Sequence, residues 1–317
     1  MKLTDFQQIY EKYLQENPFK GSPKNLYDPM NYIMGLGGKR IRPTLALIGS
    51  HMTGGNIANS LPVAHAIEVF HNFTLLHDDL MDNSNLRRGK ETVHVKWDNP
   101  TAILAGDNML ILALEYLQSY EGPNKDAIIN IFLKTSREVC EGQQNDMDFG
   151  LRENVVSESE YLHMIEQKTA VLLGCALQCG ALTGGINESE SLEYYDLAIN
   201  MGLSFQMMDD YLDSFGDSAK TGKLQGGDIK EGKNTWLKIK SFETNAEITG
   251  ELFKISSKER IDKVINYWRS INLDNRILDK AKMYRDKEYL LMEKIRSTGV
   301  DCSVLENLSE LLISRQH

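Results

Sequence analysis

The apolar positions along the chain follow a helical repeat. In "YYDLAINMGLSFQMMDDYLDSF", Leu197, Met201, Phe205, Met208 and Leu212 recur every three or four residues, the period of one helix face. "LPVAHAIEVFHNFTLLHDDLMD" repeats that period, with Pro62 near the expected helix start, where a missing N–H costs little. All seven prolines lie at or before Pro123, so the long remainder is open to uninterrupted helices. No run of alternating β-branched residues bounded by turn signals competes with this pattern. The run "AVLLGCALQCGALTGG" from Ala170 is too short and too rich in Gly and Ala to cross a bilayer of about 30 Å, and predicts a buried helix with close neighbours.

Turn signals fall at "GSPKNLYDP" (21–29), "MTGGN" (52–56), "EGPNK" (121–125), "TGGIN" (183–187) and "TGKLQGGD" (221–228). The pieces between them are mostly one or two helices long. The last seventy or so residues predict amphipathic helices with solvated charged faces. No short-period repeat or low-complexity linker divides the chain, so the expected architecture is all-α, with residues 1–317 as a single domain.

Composition narrows the function. The 317 residues are 41% hydrophobic and 25% charged, enough for a large core. A formal net charge of -10 excludes a general nucleic-acid binder, so any anion site must be a local basic cluster. The N-terminal stretch, with Asp5 and Glu11 and no apolar core, does not read as a signal peptide, and the mature protein is expected to begin there. Cys140, Cys175, Cys179 and Cys302 are too sparse for a disulfide framework and lack zinc-finger spacing; they read as reduced core thiols of a cytoplasmic protein.

Two acidic clusters carry the candidate chemistry. On a helix, Asp78 and Asp82 share a face about 6 Å apart along the axis, with Asp79 beside them. Such like charges repel, and an isolated run would read as a solvated helix end. "MMDDYLDSFGD" repeats the pattern with Asp209, Asp210 and Asp213, again after an apolar helical stretch. Uncompensated carboxylates at the rim of a core are costly, and hard cations coordinated by oxygen relieve that cost. Mg²⁺ commonly takes one or two carboxylates plus water and substrate phosphates, so the two acidic walls would hold several such ions with a polyphosphate.

Basic residues supply the complement: Lys39, Arg40 and Arg42 in "GGKRIRP", Arg87, Arg88 and Lys90 in "LRRGK", Lys168 in "EQKTA", and Lys223 and Lys233 in "TGKLQGGDIKEGK". Taken singly each patch reads as a solvated loop; as a set they could hold two diphosphates. "GLGGKR" is not a G-x-x-x-x-G-K-[ST] phosphate loop, and no G-x-G-x-x-G follows a strand.

With two DDxxD clusters, "GGKRIRP", "LRRGK" and "KT" in this order, the chain resembles the trans-isoprenyl diphosphate synthases, the polyprenyl synthetase family, from about Gly37 to Lys233. "HDDLMDNSNLRRGKETVH" matches almost throughout, with Glu91 where proline is common. The resemblance implies a helical bundle around a central cavity, a homodimer, and condensation of an allylic diphosphate with isopentenyl diphosphate. It implies Mg²⁺, about three ions per active site, bound directly by Asp78, Asp82 and Asp209 with Asp79, Asp210 and Asp213 assisting. Arg87, Lys168 and Lys223 would hold the allylic diphosphate; Lys39, Arg42, His71 and Arg88 would hold isopentenyl diphosphate. His71 lies two turns before Asp78 on nearly the same helix face, which suits that role. Thr169 and Gln206 would flank the developing cation, and Asp228 and Lys233 would close the site.

A bulky residue five positions before the first aspartate limits product length in the family; here that is Phe73, with Phe70 before it and Thr74 after it, suggesting a farnesyl or geranylgeranyl product. Two phenylalanines packed in the core are the alternative. Class I terpene cyclases share the fold and first acidic motif, but their second metal motif usually differs, and they need no second diphosphate site. An inactive regulatory subunit of a prenyl synthase is the other class, against which the intact acids and bases speak.

Overall fold

The structure, a computed structural model, describes residues 1–152, 154–216 and 225–314. Among them the only strands are the two-residue pair Leu86–Arg87 and Lys90–Glu91; the rest of the regular structure is helical. The helices are α1 (Leu3–Glu16), α2 (Lys24–Met34), α3 (Ile41–Met52), α4 (Ile57–Met81), α5 (Val93–Lys96), α6 (Asn99–Ser119), α7 (Lys125–Leu151), α8 (Glu158–Ile165), α9 (Val171–Thr183) and α10 (Glu188–Phe215). Further helices span Gly227–Glu231, Trp236–Thr244, Ala246–Lys254, Ser257–Ser270, Leu273–Arg296 and Ser303–Ser314. None is long and apolar enough to cross a membrane.

Two compact units result. The first comprises Met1–Ser136, Cys175–Tyr195 and Gly299–Leu305. Its centre is α4, apolar nearly all round, which packs chiefly against α6 and α3. Phe6, Tyr10, Ile33, Leu45, Leu47, Ile67, Phe70 and Phe132 are fully buried there. Gly180 of α9 lies against the Ala46 backbone, where a side chain would clash, and the Thr53 hydroxyl donates to the Ala181 carbonyl over 3.0 Å. The close neighbours expected from the Gly- and Ala-rich run are therefore present.

The second unit comprises Arg137–Gly174, Asp196–Thr298 and Glu306–His317. Trp268, Leu237, Ile277 and Met207 are buried in its core. Glu158 ties three of its elements together, accepting from Lys240 Nζ (2.5 Å), Lys280 Nζ (2.8 Å) and Trp236 Nε1 (3.0 Å). Against the upward push of burial, these donors bring its carboxyl down to about 2.

Four local expectations need correction. The turn read at 21–29 ends early: α2 begins at Lys24 and carries Pro29 inside it. Pro62 is the sixth residue of α4, not its start; Asn56 caps that helix by accepting the Ala58 N–H over 2.9 Å. Cys140 is exposed rather than a core thiol; Cys175, Cys179 and Cys302 are buried. The C-terminal helices have more than solvated charged faces, since Glu288 sits on the buried stripe of Leu273–Arg296, 2% exposed.

Candidate active site

In the first unit the link between α2 and α3 delivers the "GGKRIRP" basics. Arg40 takes a left-handed backbone (φ 49°) and turns inward, donating to Glu11 (2.8 Å), Glu68 (2.9 Å) and the Met34 carbonyl (2.6 Å). It is a buried structural arginine. Arg42, two residues on, donates from Nη1 to His71 Nε2 over 3.1 Å, while its buried Nε has no partner among the described residues. Since arginine only donates, Nε2 is the accepting nitrogen of that imidazole.

Lys39, Arg42, His71 and Arg88, all expected at a diphosphate, line one cavity of about 250 Å³ with Arg40 and Glu68. Burial lowers His71 well below the usual histidine range, and the charges of Arg42, Arg88, Arg87 and Arg40 push the same way, so the ring is neutral. Burial lowers Arg42 to about 10, opposed by Glu68. The chemistry of a basic cavity with a guanidinium N–H left over suits an anion with several oxygens.

The "LRRGK" loop is a hairpin, which the sequence reading missed. Leu86 pairs with Glu91 and Arg87 with Lys90, and Arg88 and Gly89 at the turn both have positive φ (53° and 74°), as a tight primed turn requires. The hairpin aims Arg87 back at α4, where Nε and Nη2 clasp Asp79 at 2.7 and 2.8 Å. Asp79 is thus buried and ion-paired, Asp78 is half-buried, and Asp82 is exposed as the C-cap of α4. Earlier on α4, Phe70 and Phe73 have ring centroids 5.5 Å apart; Phe70 also meets Phe132 (5.3 Å) and Phe73 meets His77 (4.8 Å). Thr74 donates to the His71 carbonyl over 2.8 Å.

In the second unit Asp210 is buried and accepts from Tyr161 Oη (2.6 Å), Gln206 Nε2 (3.3 Å) and the Trp236 amide (3.4 Å). Burial pushes its carboxyl up to about 7 despite those donors, with Asp228 and Asp209 adding to the rise. Asp213 accepts the Gly227 and Asp228 amides (3.2 and 3.1 Å), fixing the start of helix Gly227–Glu231. Asp228 is pushed up to about 6, first by burial and then by Asp213; Lys233 Nζ stands 3.8 Å from it. Asp209 is half-buried.

Lys168 and Thr169 sit on a π turn, Glu166–Ala170, with Lys168 Nζ on Asp146 at 2.6 Å. Lys223 lies outside the described residues. Glu68, Asp146 and Tyr161 went unnoticed in the sequence. Glu68 could have been found from its place one helical turn before His71; for Tyr161 no signal existed.

Among the described residues no three Asp, Glu, His or Cys side chains converge as a ready cage for a metal ion. Oxygen-only donors on the acidic helix ends still suit Mg²⁺, which takes few protein ligands and completes its shell with water and phosphate. Both acidic clusters lie in the last turns of α4 and α10, where the helix dipole disfavours carboxylates and favours a bound cation.

The polyprenyl synthetase family profile matches residues 23–268. A geranylgeranyl diphosphate synthase of Methanosarcina mazei is 43% identical over 230 residues, 71% of this chain and 70% of that protein. A geranylgeranyl pyrophosphate synthase of Geoglobus acetivorans is 36% identical over 99% of this chain and 98% of its own. A crystal structure of a geranylgeranyl pyrophosphate synthase superposes with a TM-score of 0.93 at 42% identity, covering 100% of both chains. A polyprenyl synthase from Caulobacter crescentus, solved with calcium and isoprenyl diphosphate, superposes with a TM-score of 0.85 at 25% identity over 99% of this chain and 97% of its own. With the helical fold, both acidic motifs and the basic cavity in place, the chain belongs to the polyprenyl synthetase family.

Proposed function

We propose that this protein is a trans-prenyltransferase that condenses an allylic diphosphate (dimethylallyl, geranyl or farnesyl) with isopentenyl diphosphate. Its product is a linear trans-prenyl diphosphate of about C15 to C20, as the bulk of Phe73 and Phe70 suggests. The observation that carries this reading is the cavity shared by Lys39, Arg42, His71 and Arg88: a diphosphate site additional to the aspartate motifs, which a cyclase working on one diphosphate does not need.

The roles follow from charge and position. In the first unit, Lys39, Arg42, His71 and Arg88 bind the diphosphate of isopentenyl diphosphate. Arg87 keeps three N–H groups beyond the two it gives Asp79, enough to reach an allylic diphosphate. In the second unit, Lys168 binds a diphosphate, Thr169 and Gln206 present their dipoles to a developing allylic cation, and Asp228 and Lys233 close the loop. Asp78, Asp82 and Asp209, backed by Asp79, Asp210 and Asp213, would hold Mg²⁺, which would neutralise charge building on the departing pyrophosphate. No side chain acts as nucleophile: the isopentenyl double bond attacks C1 and a proton is then lost, with the leaving pyrophosphate as its acceptor.

Three wider assignments belong to the same reading. The whole chain works as one polyprenyl synthetase domain, supported by relatives that align over its full length. It forms a homodimer, supported by Leu104 and Ile111, seven residues apart on α6 and 60% and 54% exposed. It resides in the cytoplasm, supported by four cysteines that are all thiols.

The test is incubation with Mg²⁺, isopentenyl diphosphate and each allylic primer in turn, with mass analysis of the products. Pyrophosphate release with a longer linear diphosphate is expected. A cyclic hydrocarbon from the primer alone would replace this reading with the cyclase.

A further inference from the structure

A π turn inserts one extra residue into a helix and strains it, so it persists only where neighbours hold it. Around Glu166–Ala170 the holding element is one face of α7. Gly142 lies against the turn: a Cβ there would stand 2.8 Å from the Gln167 carbonyl carbon and closer still to the Lys168 amide nitrogen. Only a residue without a side chain lets the two backbones meet. One turn along α7, Asn145 Nδ2 donates to Gln167 Oε1 (3.1 Å), and Gln167 Nε2 donates to Glu141 Oε2 (3.2 Å). Asp146, on the same face as Gly142, accepts from Lys168 Nζ at 2.6 Å.

We infer that Asp146 is a positioning residue for Lys168, acting across the close approach that Gly142 allows. The ammonium has three N–H groups; one held by Asp146 fixes where the other two point. Its side chain is partly exposed (28%), as is that of Asp146 (39%), and a free surface pair of this kind is ordinarily worth little. Here the close approach at Gly142 sets the Lys168 backbone against α7, so the ammonium and the carboxylate meet at 2.6 Å with the main chain already in place. Asp146 therefore sets the place and orientation of the charge that meets the substrate anion. This rests on Lys168 being an allylic diphosphate ligand.

The experiment is a double-mutant cycle on the full enzyme with Asp146→Ala, Lys168→Ala and the pair, reading KM for each substrate, kcat, and folding by circular dichroism. Asp146→Ala should raise the allylic KM about tenfold, the loss of one charge-assisted hydrogen bond, and leave the isopentenyl diphosphate KM unchanged. The pair should be no worse than Lys168→Ala alone, and Asp146→Glu should recover part of the loss. Gly142→Ala should shift the allylic KM in the same direction by moving the π turn. Additive effects of Asp146→Ala and Lys168→Ala, or equal changes in both KM values, would overturn the inference. An allylic KM unmoved by Lys168→Ala would instead remove the underlying role of the lysine, and the positioning role with it.

Discussion

Glu288 offers a measurement of stability that touches no catalytic group. It lies on the buried stripe of helix Leu273–Arg296, 2% exposed, and neither carboxyl oxygen has a hydrogen-bond partner among the described residues. It lines a cavity of about 190 Å³ with Arg285, Tyr289, Met292, Glu306, Ser309 and Glu310. Burial pushes it from the ordinary 4.5 up to about 7, and the nearby Ser309 hydroxyl and the Arg285 charge offset only part of the rise. The folded state therefore holds a proton that the unfolded chain has released between pH 4.5 and 7. Stability from this group is full below pH 4.5, falls as pH rises, and stays low above pH 7. At 1.36 kcal/mol per pH unit the interval amounts to about 3 kcal/mol. Glu288→Gln keeps the shape and removes the titration. Urea unfolding followed by circular dichroism, at fixed protein concentration from pH 4.5 to 8, should show the two proteins diverging as pH rises, with the variant more stable by about 3 kcal/mol at pH 8 relative to its standing at pH 4.5. Parallel profiles would refute the buried-acid argument.

Other expectations are simpler. Asp78→Ala and Asp209→Ala should each lower turnover by on the order of 10³-fold with the helical signal retained, and near-normal activity in either would remove the metal assignment. Phe73→Ala should lengthen the product by at least one isoprene unit; an unchanged chromatogram would leave Phe73 as core packing only, where its truncation costs about 3 kcal/mol of stability. Arg40→Met should cost about 3 kcal/mol in a denaturant titration, because it strands the buried Glu68 without its cation, and a smaller loss would show that Asn72 alone satisfies that acid.

What was legible in the sequence depended on whether a feature has a period or a local signature. The helices of α4 and α10 show their apolar spacing directly, and the DDxxD runs at their ends announce themselves by like-charge crowding that only a cation relieves. Features made by contacts distant along the chain left no such trace. Arg40 and Arg42 have equal chemistry and border one cavity, yet Arg40 is spent on Glu11 and Glu68 while Arg42 meets His71, and residue type alone does not separate them. Tyr161 meets Asp210 across 49 positions, and Lys168 meets Asp146 across 22. The hairpin at 86–91 escaped because two-residue strands have no alternation to detect, although "RG" at its tip is a turn signal.

The two acidic motifs are alike in sequence, and in each of them hydrogen-bond donors fix particular acids in place. In "DDLMD" the middle acid, Asp79, is spent on the Arg87 fork. In "DDYLD" Asp210 is spent on Tyr161, Gln206 and the Trp236 amide, and Asp213 on the Gly227 and Asp228 amides. A carboxylate held this way gains rigidity and loses lone pairs for a cation. Asp78, Asp82 and Asp209 are the three that the family resemblance makes direct Mg²⁺ ligands. The held acids would then act by orienting helix ends and adding negative potential, a weaker and less local contribution. Asp79→Asn and Asp210→Asn should accordingly raise the Mg²⁺ concentration needed for half-maximal activity by less than Asp78→Asn or Asp209→Asn does, and the reverse order would show that Asp79 and Asp210 bind the ion despite the donors that hold them.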